Sequence, residues 1–354
     1  MNLDHYQQFG TLDTEDMLGH INAAPEQLQM AWQYGLSQPL PETFSAIRQV
    51  VFCGMGSAAT GGDLLGALMQ ESSQLPLFVC RHYDLPAWVQ GASTLVIASS
   101  FSGDTEETLS AYDQAVERGL PVIAITTGGR LADKARQNPQ AILWQFEHHA
   151  PPSATLPWHL GVLLALAHRL GWLTDLDTDI AEAVSLMQQS RERYNAEIPT
   201  AQNPAKRQAG QWIERLPVFY GSGAFEVVAR RWKTLMNENA KLFAAYEALP
   251  EANHNAAAGI IFPEALMSKL AVCFIESPTF DHPRVALRHQ LTRMLYLQAG
   301  IMIDSFMPQG ESLLAQLLHA IYFADYASYY AALANDANPS AIEPIAELEA
   351  MLQE

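Results

Sequence analysis

The residues best suited to chemistry cluster in Ser99-Ser100-Phe101-Ser102-Gly103-Asp104-Thr105-Glu106-Glu107-Thr108. Ser100, Ser102 and Thr105 place three hydroxyls around a glycine that lets the chain turn tightly. Hydroxyls beside the unpaired N–H groups that open a helix bind anions, and phosphate is the natural guest. A helix cap by Asp104 or Thr105 accounts for one or two of these hydroxyls, but not all of them. Two turns of similar make flank this one in sequence: Gly54-Met55-Gly56-Ser57-Ala58-Ala59 and Thr126-Thr127-Gly128-Gly129. Gly56, Ser57, Ser100, Ser102 and Thr105 together form a neutral cradle that suits a compact phosphomonoester. The first turn also satisfies the relaxed dinucleotide pattern G-x-G-x-x-A, with Arg81 placed to meet a 2′-phosphate. A nicotinamide-dependent dehydrogenase is therefore one alternative, and a bare turn with no ligand is another.

Such a cradle needs strands to present it. Short apolar runs supply them at Val50–Cys53, Leu77–Cys80, Thr94–Ala98, Val122–Thr126 and Ile142–Phe146, with helices at Glu106–Arg118 and Leu131–Gln137. Strands alternating with helices predict a parallel sheet covered on both faces. The glycine turns then fall at carboxyl ends of strands, where open α/β sheets bind ligands. A helix is predicted before them, over residues 14–37.

The pattern repeats. Val51-Phe52-Cys53-Gly54-Met55-Gly56-Ser57 is echoed 167 residues later by Val218-Phe219-Tyr220-Gly221-Ser222-Gly223-Ala224. That is a domain-scale duplication. Further strands are expected at Leu242–Tyr246, Lys269–Ile275 and Ile301–Ser305, with helices at 224–239, 284–298 and 311–333. The predicted fold class is α/β, with two similar doubly wound domains of mainly parallel sheet, flavodoxin-like. Residues 1–45 form an N-terminal helical segment, 46–152 the first domain, 153–205 a helical connector, 206–335 the second domain and 336–354 a tail helix.

Composition narrows the partners. Asp and Glu number 38 against 20 Lys and Arg, a formal charge of -18, which argues against binding a nucleic-acid backbone. No Lys follows Lys269 and no Arg follows Arg293. Cys53, Cys80 and Cys273 sit in apolar stretches without disulfide or metal spacing, so a reducing cytoplasm is expected. The richest apolar run, Leu160–Ala167, is too short to span a bilayer, and no membrane association is expected.

With these features in view, the chain resembles the sugar isomerase (SIS) domain proteins. It is most similar to bifunctional phosphoglucose/phosphomannose isomerases, which carry two such domains. The resemblance runs from Gly54 to about Leu348. Its most specific segments are Asn237-Glu238-Asn239-Ala240-Lys241 and Leu249-Pro250-Glu251-Ala252-Asn253-His254-Asn255, joined by Arg230-Arg231-Trp232-Lys233, Asp281-His282-Pro283-Arg284 and Ala324-Asp325-Tyr326.

The resemblance implies interconversion of glucose or mannose 6-phosphate with fructose 6-phosphate through a cis-enediol. By position, Glu238 matches the catalytic base, and His254 matches the histidine that helps open the sugar ring. Ser100, Ser102 and Thr105 match the phosphate-binding hydroxyls. It also implies a homodimer in which His254 crosses the interface. A positioned carboxylate and a histidine suffice for this proton chemistry, so no metal or organic cofactor is expected.

Taken without the resemblance, Glu238 would more simply pair with Lys241 on a helix surface, and His254 would organise a polar loop.

The chain departs from the family at several site positions. Ser153 stands where the family has an arginine, and Glu349 stands where it has a lysine. Ser57 and Ala58 replace its second consecutive glycine and the following serine, and Ala256 replaces an acid. With both cations gone, the alternative is a non-catalytic sugar-phosphate binder or sensor.

Overall fold

The computed structural model describes residues 1–352, apart from the side chain of Glu71. The chain divides into two compact units: Ala24–Val184, which is contiguous, and Met1–Ala23 with Ser185–Glu354, which is not.

The chain opens with α1 (Met17–Asn22) and α2 (Ala24–Ser37), where a single helix over 14–37 was expected. The Ala23 N–H closes the first helix on Gly19 O, and Pro25 brings no N–H to carry a ladder across the junction.

The contiguous unit holds β1 (Gln49–Cys53), α3 (Gly56–Ser72), β2 (Leu77–Cys80), β3 (Thr94–Ser99), α4 (Glu106–Glu117), β4 (Val122–Thr126), α5 (Gly129–Gln137), β5 (Ala141–Gln145) and α6 (Leu156–Arg169). Its five strands are all parallel in the order β2-β1-β3-β4-β5. β3 and β4 are buried along their whole length, which explains runs of Val, Ile and Ala with no polar alternation. β1 and β3 pair in register, Cys53 beside Ala98, so the glycine turn after β1 and the hydroxyl turn after β3 leave the sheet side by side. A long helix, α7 (Leu176–Tyr194), contains the division between the units.

The discontinuous unit adds α8 (Pro204–Trp212), β6 (Leu216–Ser222), α9 (Phe225–Glu238), β7 (Ala245–Leu249), α10 (Glu264–Met267), β8 (Leu270–Ile275), α11 (Pro283–Gln298), β9 (Met302–Phe306), α12 (Leu313–Ala334) and α13 (Glu343–Leu352). Its four strands are also parallel, in the order β7-β6-β8-β9. β7 starts at Ala245, three residues later than the expected strand at Leu242. The residues between are used to leave α9: Lys241 takes a φ of 57°, and the Leu242 N–H returns to Met236 O. Residues 353–354 of the expected tail helix lie outside the described residues.

The first residues are held inside this second unit by Lys206. Its buried ammonium donates to the carbonyls of Leu3 at 2.7 Å, Ala196 at 2.7 Å and Ile198 at 2.9 Å. Three acceptors satisfy its three donors, while burial still lowers the pKa of the ammonium. Asp4 adds a carboxylate that accepts from the Thr200 N–H at 2.7 Å.

All three cysteines are free and buried. Among the described residues, no helix is long and apolar enough to cross a membrane.

Candidate active site

The hydroxyl turn of the contiguous unit is tightly organised. Ser100 Oγ lies 2.8 Å from Thr105 Oγ1 and accepts from the Gly103 N–H at 3.1 Å. Ser102 Oγ accepts from the Asp104 N–H at 3.2 Å and is exposed. Thr105 occupies the N-cap of α4, but its hydroxyl accepts no helix N–H. Asp104 does not cap either, because its Oδ1 accepts from Arg130 N and Nε at 3.1 Å each. The capping explanation for these hydroxyls therefore fails, and the first N–H groups of α4 remain without a side-chain cap.

The Thr126–Gly129 turn serves the cradle as a buttress. Thr127 Oγ1 donates to Phe101 O at 2.7 Å, and Thr126 Oγ1 donates to Gly128 O at 2.9 Å. The two turns interlock so closely that a Cβ on Gly103 would lie 1.9 Å from Gly128 O, and one on Gly129 would lie 2.3 Å from Ser102 O. Both glycines also have positive φ, 78° and 66°, which other residues rarely adopt. The threonine hydroxyls are thus spent on shape.

Beside them, Gly56 opens α3 at φ 52°, with open space where a side chain would be. Ser57 Oγ donates to Pro152 O at 2.8 Å. Residue 152 therefore sits against the start of α3, and buried Ser153 follows in a 3-10 turn over Pro152–Thr155.

Beneath the cradle lies a residue that sequence inspection passed over. His159 on α6 is fully buried, and its Nδ1 stands 3.0 Å from Ser99 Oγ, one residue before Ser100. Burial pushes its pKa down to about 4, so the ring is neutral at pH 7. No local pattern marks a contact made across sixty positions.

Arg81 does not present a free cation at the end of β2, because its guanidinium is paired with Asp63. Arg284, in the first turn of α11, is exposed.

In the discontinuous unit, Glu238 is the last residue of α9 and is half-buried. No hydrogen bond or ion pair holds its carboxylate among the described residues. The expected surface pair with Lys241 is absent, because that ammonium donates to the backbone carbonyl of Glu238 and to Pro339 O at 3.4 Å. The neighbours fix the helix end: Asn239 Nδ2 donates to Ser328 Oγ at 3.0 Å, and Asn237 Nδ2 donates to Leu242 O at 2.8 Å. Burial raises the pKa of Glu238, partly offset by Arg231, Lys241 and Lys233. Arg231 on the same helix is buried and Asp325 is partly buried, with 3.8 Å between guanidinium and carboxylate. Burial lifts Asp325 to about 7 against the pull of Arg231.

His254 ends a 3-10 turn over Glu251–His254 and is exposed. The flanking asparagines do the organising. Asn253 Nδ2 donates to Thr292 Oγ1 at 2.8 Å and its Oδ1 accepts from Arg288 at 3.0 Å, while Asn255 Nδ2 donates to Glu251 Oε1 at 3.0 Å. The imidazole itself is committed to none of these bonds.

The structure thus brings Gly56, Ser57, Ser100, Ser102 and Thr105 together at adjacent strand ends of one unit, and places Glu238 and His254 in the other. Among the described residues, no group of three or more His, Cys, Asp or Glu side chains is arranged to hold a metal ion.

A family model described as the bacterial phospho-glucose isomerase C-terminal SIS domain matches residues 201–352. A bifunctional phosphoglucose/phosphomannose isomerase of Caldicellulosiruptor bescii is 36% identical over 339 residues, covering 96% of this chain and 99% of that one. Its counterpart in Aquifex aeolicus is 28% identical over 317 residues, covering 89% and 94%. Among solved structures, the C-terminal domain of glucosamine-fructose-6-phosphate aminotransferase from Francisella tularensis superposes with a TM-score of 0.71 at 13% identity, covering 92% of this chain and 98% of that one. That likeness concerns the fold. By the extent and identity of the sequence match, the chain belongs to the bifunctional phosphoglucose/phosphomannose isomerase family.

Proposed function

We propose that the chain interconverts an aldose 6-phosphate, glucose or mannose 6-phosphate, with fructose 6-phosphate through a cis-enediol. The cradle of Gly56, Ser57, Ser100, Ser102 and Thr105 grips the phosphate by hydroxyls and helix N–H groups. Glu238 carries the proton between C1 and C2. His254, contributed across a homodimer interface, protonates the ring oxygen as the sugar opens.

The observation that carries this assignment is the state of Glu238: half-buried, unpaired and raised in pKa, as a carboxylate that must take and return a proton should be. The dimer has its own support. Seven and eight residues after exposed His254, the same unit exposes Ile261 at 62% and Phe262 at 79%, apolar area that a second copy would cover. Three unpaired buried thiols agree with work in a reducing cytoplasm.

A second assignment, sugar-phosphate binding without turnover, is favoured by Ser153 and Glu349. Ser153 adjoins the cradle without the charge that would steady an enediolate oxygen. Glu349 lies on α13, which buries none of its residues. Neither Arg81, already paired, nor exposed Arg284 is held in place of the missing cations. Solvent deuterium uptake at C2 of glucose 6-phosphate and mannose 6-phosphate, and at C1 of fructose 6-phosphate, separates the two assignments. Uptake above a Glu238→Gln control supports isomerisation. Saturable binding with no uptake makes the chain a binder.

A further inference from the structure

The second glycine turn copies the first in backbone. Gly223 has φ 51° where Gly56 has 52°, and both have open space at the missing Cβ. β6 and β8 pair as β1 and β3 do, at the centre of an equivalent parallel order. The ends of β6 and β8 are nevertheless not open.

The carboxylate of Asp281, with its side chain 4% exposed, bridges them. Its Oδ1 accepts from Ser222 Oγ on the glycine turn, and its Oδ2 accepts from the Ser277 N–H after β8 at 2.8 Å. Ser277 Oγ is itself fixed, donating to Gln316 Oε1 at 2.6 Å and accepting from the Phe280 N–H at 3.1 Å. Fully buried His289 faces the same point, with Nε2 at 3.4 Å from Ser222 Oγ and 3.8 Å from Asp281, while its Nδ1 has no partner. The neighbouring cation is already matched, since Arg293 donates to Glu276 Oε1 at 2.7 Å. One oxyanion thus takes a hydroxyl from one strand end and a backbone N–H from the next, as a bound phosphate would in the first unit.

We propose that Asp281 is a built-in anion that fills the second cradle, so that the chain carries one phosphate site, and that removing this carboxylate uncovers a second. The uncovered site takes a small oxyanion, phosphate or sulfate, on Ser222 Oγ, the Ser277 N–H and His289. This inference rests on the first cradle being a phosphate site, and the two can be tested apart.

The experiment counts inorganic phosphate on the full chain by titration calorimetry. In the Ser102→Ala, Thr105→Ala background no phosphate is expected to bind. Adding Asp281→Ala should restore a single phosphate per chain, and adding Ser222→Ala should abolish it again. Ser222→Ala alone should leave the phosphate affinity of the otherwise intact chain within about twofold.

The proposal is overturned if Ser222→Ala weakens phosphate binding in the intact chain, or if the Asp281→Ala chain, folded by circular dichroism, takes up none. If Asp281→Ala does not fold in plain buffer, formate or phosphate should restore its cooperative melting by supplying the lost anion. A chain that neither anion rescues refutes the proposal. If the intact chain binds no phosphate while Asp281→Ala gains a site, the first-cradle assignment fails and this one stands.

Discussion

The two sheets end in the same backbone and in opposite chemistry. At β1 and β3 the chain presents Ser100, Ser102, Thr105 and uncapped helix N–H groups, and the charges in the turn, Asp104 and Arg130, are paired with each other. At β6 and β8 the equivalent positions are packed with Asp281, Glu276, Arg293 and His289, already paired or buried. The glycine that makes both turns possible is a statement about chain geometry. Whether a ligand enters is decided by what fills the space above it. A repeated G-x-G motif therefore identifies the duplication and says little about how many ligands the protein holds.

The largest effect is expected at Glu238, the proposed base. Glu238→Gln is expected to lower C2 deuterium exchange by about 10²- to 10⁴-fold, the usual worth of a positioned proton carrier. The acid limb of the wild-type rate should lie above the ordinary carboxylate range of about 4, because activity needs the ionised form and burial raises the pKa. A limb that survives Glu238→Gln unchanged would assign the titration to another group.

Next in size, Ser102→Ala with Thr105→Ala should weaken binding of fructose 6-phosphate by about 10- to 100-fold, since each hydroxyl donates to a charged group. The matching change in the other sheet, Ser222→Ala, should leave that affinity unaltered. Equal losses from both would mean that the two cradles are alike after all.

Ser153→Arg combined with Glu349→Lys should raise kcat by about tenfold if the missing cations limit the chemistry. An unchanged kcat would show that this site stabilises its oxyanion by other means.

The smallest effect concerns the floor of the first cradle. His159 has a folded pKa of about 4 against an unfolded value of about 6.5. The unfolded chain therefore binds the proton first. Stability from this group is complete above about pH 6.5 and declines as the pH falls toward 4, by about 2 kcal/mol at pH 5. His159→Gln should flatten that part of the thermal melting profile between pH 7 and pH 5. His319, also held down to about 4 by burial, would account for a remaining slope.

Most strands were legible because burial on both faces leaves short unbroken apolar runs, and those of β2 and β4 agree with their expected limits residue for residue. The misses have local causes: Pro25 splits a helix, and the left-handed Lys241 delays β7. At the site, the hydroxyls of Ser100, Ser102 and Thr105 could be read from their crowding. The expenditure of Thr126 and Thr127 could not, because their acceptors depend on how two turns interlock. Ser222 with Asp281 and Ser99 with His159 are joined only by folding, across 59 and 60 positions. Spacing within a motif shows which groups are available, whereas only the packed chain shows which are already engaged.

The anchoring of Leu3 by Lys206 bears on the order in which the protein is made. Residues 24–184 form a contiguous unit whose sheet is complete when β5 and its covering helices have left the ribosome. The first 23 residues belong to the other unit, and the partners of Leu3 and Asp4 lie near residue 200. During synthesis at roughly 5–20 residues per second, that leading segment waits about ten seconds or more for its lysine. Translation thus imposes a sequence of events: the hydroxyl turn proposed to grip phosphate can be assembled before Glu238, the proposed base, has been translated.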